Sequence, residues 1–64
     1  MARFPRILHF PDSGDRVMID RVSNDVYLAR LIEADGELSV EHGTGDGILP
    51  AVADLYEALV GAEG

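Results

Sequence analysis

Apolar residues alternate with polar ones up to Val40 and fall three and four apart from Val52 onward, and Gly43, Gly45 and Gly47 mark the change. A period of two belongs to a strand with one buried face, and a period near 3.6 to an amphipathic helix. The pattern therefore predicts a sheet followed by a helix, an α+β fold of order β-β-β-α.

The strands are read in turn. Residues 16–22, RVMIDRV, are rich in β-branched side chains, with Val17 and Ile19 on one face and Met18 and Val22 on the other. Ser23, Asn24 and Asp25 supply turn chemistry, and residues 26–34 return as a strand apolar on both faces except at Arg30, which predicts a central position. Asp35-Gly36 is a hairpin pair, and residues 37–42, ELSVEH, alternate so that Leu38 and Val40 point inward and Glu37, Ser39 and Glu41 outward. These three strands form an antiparallel meander. Residues 6–10 lie between Pro5 and Pro11, which suits a fourth edge strand or an extended arm, so residues 1–15 are set apart from a single domain over 16–64.

Val52, Leu55, Tyr56, Leu59 and Val60 form the apolar stripe of the helix, with Asp54 and Glu57 pointing away. The helix is predicted to start near Leu49 or Pro50 and to stop at Gly61 through a left-handed cap. Three glycines ahead of a helix invite a phosphate-loop reading, which fails on chemistry. The chain has no lysine, Ile48 occupies the place of the third dinucleotide-fingerprint glycine, and Asp46 would meet the phosphate with a negative charge. The glycines are read as the bend from strand to helix, with Asp46 favouring the positive end of the helix dipole.

A chain of 64 residues without cysteine is one small domain with no disulfide and no thiolate metal site. His9 and His42 are not at ligand spacing, the hydroxyls of Ser13, Ser23, Ser39 and Thr44 stand in no triad-like arrangement, and so neither metal, cofactor nor catalysis is expected. No apolar run reaches the roughly 18 residues of a membrane span, and a cytoplasmic location is expected. Proline and histidine interrupt residues 1–15 before they could form a signal-peptide core.

Charge is divided along the chain. Residues 1–30 hold all five arginines and four aspartates, a net of +1, whereas residues 31–64 hold eight acids and no cation, within a total of -7. This excess disfavours nucleic acid and anionic membranes as partners. It suits either plain solubility or an acidic face made for a basic protein, with Glu37, Glu41, Asp46, Asp54 and Glu57 as its candidate residues.

The strand-to-helix order and the run GDGILPAVADLYEAL resemble the HicB-like antitoxin domain. Gly45 and Asp46 match its turn, and Ala51, Leu55, Ala58 and Leu59 match its helix, over about residues 16–60. Gly47 stands where that family has Thr, Leu49 and Pro50 replace its acidic pair, and its aromatic-proline element after the second strand is missing from LIEADGEL. A C-terminal DNA-binding segment is also missing from these residues. The resemblance implies a partial double-stranded-RNA-binding-like fold that binds a protein and not RNA. The expected function is a small module that neutralises or regulates a basic toxin or nucleic-acid enzyme. The alternatives are a phage-type acidic inhibitor imitating nucleic acid, and a homo-oligomerisation domain. The two-faced strand at 26–32 also predicts a homodimer or higher oligomer, because one helix covers one sheet face.

Overall fold

The computed structural model describes residues 4–63, with the side chain of residue 63 outside the description. Four strands, β1 (Arg6–Phe10), β2 (Asp15–Ser23), β3 (Val26–Ile32) and β4 (Gly43–Gly45), precede one helix, α1 (Ile48–Glu63). The sheet is antiparallel in the order β1-β2-β3-β4. The fold is α+β, and residues 6–10 are the fourth, edge strand.

Register places the two faces. Val17 pairs with Leu31 and Ile19 with Ala29, and these four side chains look toward α1, where Ala51, Val52 and Leu55 complete the buried core. Leu8 and Phe10 of β1 and Phe4 before it pack at its margin, and Phe4 meets Tyr27 edge to face with ring centroids 5.5 Å apart. The core stripe on α1 is thus Ile48, Ala51, Val52, Leu55 and Leu59, with Tyr56 at its border. Val60, expected in the stripe, is 68% exposed, standing about a third of a turn from the residues that pack on the sheet.

The third predicted strand is corrected. After the turn at 34–36, where the Gly36 amide donates to the Glu33 carbonyl (2.8 Å), only Leu38 pairs with β3, opposite Ile32. Ser39 is the cause. Its hydroxyl accepts from the Leu31 amide (3.0 Å) and donates to the Glu41 carbonyl (2.7 Å), so a side chain takes the place of a ladder carbonyl. Both capacities of the hydroxyl are used, which explains why Ser39 is 3% exposed although the alternation pointed it outward. Leu38 and Val40, expected inward, are exposed, and pairing resumes only at Gly43, opposite Ala29.

The glycines have a tighter role than bending. A Cβ on Gly43 would overlap the Leu55 amide nitrogen and the Ala51 carbonyl and lie 2.6 Å from the Leu55 Cα. One on Gly45 would lie 2.7 Å from the Ala51 nitrogen. These two positions let α1 rest its backbone on β4, which fixes the helix over β3 and β4. The helix starts at Ile48 with the Gly47 carbonyl accepting from the Ala51 amide (3.1 Å), and Asp46 lies outside its first turn. Gly61 does not end the helix. It lies within α1 with open space around it, since the Ala and Glu that follow continue the turn.

Candidate functional site

The five acids singled out from the sequence do not gather at one place. Glu37 is exposed in the loop after the 34–36 turn, where its amide donates to the Asp35 carboxylate (3.0 Å). Glu41 is half-buried, its carbonyl held by Ser39. Asp46, Asp54 and Glu57 are exposed on the β4 and α1 side of the molecule.

Asp54 has a structural task. Its carboxylate accepts the Thr44 amide at 2.9 Å, across from the side on which β4 meets β3. An unpaired strand edge is a template for further pairing, and here a helix carboxylate occupies the outward donor of a three-residue edge strand. Among the described residues Asp46 and Glu57 make no such bond, and both are exposed.

The outer side of α1 carries a second apolar row that the sequence reading missed. Leu49, Ala53, Tyr56 and Val60 are spaced four, three and four residues apart, about a third of a turn from the core stripe. Leu49 is 75% exposed, and Ala53, Tyr56, Glu57, Val60 and Gly61 line a shallow depression of about 480 Å³. The 4-3-4 spacing is the available signal in the sequence, obscured because Tyr56 belongs to the border of the core stripe and Val60 has the spacing to join it.

Acids flank this row on both sides. Glu57 stands beside it on α1, and across it the Tyr56 hydroxyl donates to the Asp15 carboxylate at 2.9 Å, tying the helix to the start of β2. Desolvation, then the bond to Asp15 and its negative charge, push the Tyr56 hydroxyl above its ordinary pKa, with Ser13 opposing. The phenol therefore stays a donor. Asp12 is exposed in the adjoining turn, and α1 itself contains no Arg, Lys or His.

Among the described residues nothing covers the opposite sheet face. Strand pairing puts Ile7 and His9 of β1, Arg16, Met18 and Asp20 of β2, and Leu28, Arg30 and Ile32 of β3 on it. Arg30 Nε is shielded from solvent and finds no acceptor among the described residues. Among the described residues no group of three His, Asp or Glu could hold a metal ion, and no helix is long and apolar enough to cross a membrane. No family model matches the chain, and neither does any curated protein or solved structure.

Proposed function

We propose that this chain is a small protein-binding module that neutralises or regulates a basic protein partner, antitoxin-like in its logic. The observation that carries this reading is the division of charge along the chain, which leaves α1 with acids and no cation. The arginines all belong to residues 1–30, whereas α1 and the approach to it present Asp46, Glu57 and, across the outer row, Asp12 and Asp15 without a cation on the helix. An acidic surface edged with exposed apolar side chains suits a basic protein and repels a phosphate backbone.

The experiment is capture from a lysate of the native host on the immobilised domain. A protein of positive net charge should be retained by the wild type and lost by the Asp46→Lys/Glu57→Lys double variant. Retention indifferent to the reversal, or binding of purified RNA at physiological salt, contradicts the reading.

The uncovered sheet face favours a second reading, a homo-oligomerisation domain. Met18, Leu28 and Ile32 sit there among charges of both signs, with Arg30 opposite Met18 and diagonal to Asp20 and with Arg16 opposite Ile32, an arrangement that a two-fold related copy could complement. Sedimentation as a dimer that Met18→Glu dissociates supports it, and a monomer at high micromolar concentration contradicts it.

A further inference from the structure

The outer row of α1 has the form of one half of a helix-to-helix seam. Residues spaced four, three and four apart present a straight line along a helix, the spacing at which two helices pack with interlocking side chains. Leu49 and Val60 are 75% and 68% exposed, far beyond what a side chain finished with its packing shows. Toward its C-terminal end the row dips. Ala53 within it and Gly61 just beyond it are small, and the depression over them is walled by Tyr56, Glu57 and Val60, so a large apolar side chain from outside can descend onto the helix backbone.

Charge selects the occupant. A second copy of α1 would bring a helix without a single cation against Glu57 and against Asp12 and Asp15, with nothing on it to relieve them. A strand has no reason to follow a 4-3-4 row. A helix whose flanks carry Lys or Arg meets Glu57 on one side and Asp12 or Asp15 on the other. Tyr56 serves both ends of this arrangement, since its ring belongs to the row and its hydroxyl holds Asp15 in place at 2.9 Å.

We infer that the outer face of α1 docks a basic amphipathic helix of the partner, seated along Leu49, Ala53, Tyr56 and Val60, with its cations on Glu57 and on Asp12 and Asp15. This rests on the reading of a basic partner and adds the form in which that partner binds.

Two designed peptides test it against the full chain. They share a leucine seam, one flanked by lysines and the other by glutamates, and binding is followed through the amide resonances of the domain. The lysine peptide should shift Leu49, Ala53, Glu57 and Val60. The glutamate peptide should bind at least roughly tenfold more weakly. The Ala53→Arg variant, at an exposed helical position that tolerates a long side chain, should lose the lysine peptide while keeping its helical circular dichroism. Shifts confined to Asp46, Asp54 and Glu57 that persist in Ala53→Arg keep a basic partner and overturn the helical seam. Equal binding of the two peptides overturns both. Shifts on Met18, Leu28 and Arg30 also overturn the seam.

Discussion

Gly43 and Leu55 meet backbone to backbone, so closely that a Cβ on the glycine would occupy the space of the Leu55 amide nitrogen. The contact sets the distance of α1 from β4 and therefore which helix residues are buried and which face out. Gly43→Ala has no flexible neighbour to push aside, and should cost about 3 kcal/mol or more. A domain of this size has about 3 to 10 kcal/mol in all, so the variant should be largely unfolded in a thermal melt. Gly61→Ala is the contrast. It adds a Cβ into open space within the helix and should stabilise by about 0.5 to 1 kcal/mol. Equal melting of the two variants contradicts the close approach.

Asp54 closes the β4 edge through the Thr44 amide at 2.9 Å. Asp54→Ala should cost about 0.5 to 1 kcal/mol, because the freed amide can turn to water. Its clearer sign is hydrogen exchange at Thr44, which should become faster than in the wild type while the amides of β2 keep their protection. Unchanged exchange at Thr44 would show that the carboxylate does not hold it.

The tie between Tyr56 and Asp15 gives a pH dependence on the alkaline side. A pKa raised in the folded state means that the folded chain holds the phenolic proton more tightly than the unfolded one. The associated stability is complete below the ordinary tyrosine pKa near 10 and is lost as pH rises through the higher folded value. Thermal stability should fall above that range in the wild type and fall less in Tyr56→Phe. An ultraviolet titration should show one tyrosinate forming late in the wild type and that transition missing from the variant. A wild type and variant that decline together would contradict the bond.

Much of this architecture was legible in the sequence, and the misreadings share a cause. Val17, Ile19, Ala29 and Leu55 follow the alternation and the helical period into the core because each belongs to an element with several neighbours in register. Residues 37–42 alternate equally well, yet Ser39 turns them away from the ladder with its own hydroxyl, a side-chain bond that no periodicity encodes. The glycines stand at the junction as the sequence predicts, but their closeness to α1 depends on Ala51 and Leu55, six to twelve positions further on. The sequence shows only the charge of Asp54, and the position of Thr44 reveals that its carboxylate is engaged. Asp15 meets Tyr56 across 41 residues of sequence, a proximity that no local pattern encodes.

The central claim is that the acidic outer side of α1 attracts a basic protein, and the association rate of the captured partner tests it most directly. Measured at increasing salt, the rate for the wild type should fall by roughly tenfold or more as the field is screened over a distance of about 8 to 10 Å. Glu57→Lys should slow association at low salt and alter dissociation far less. An association rate independent of salt, or one that Glu57→Lys leaves unchanged, would contradict the account.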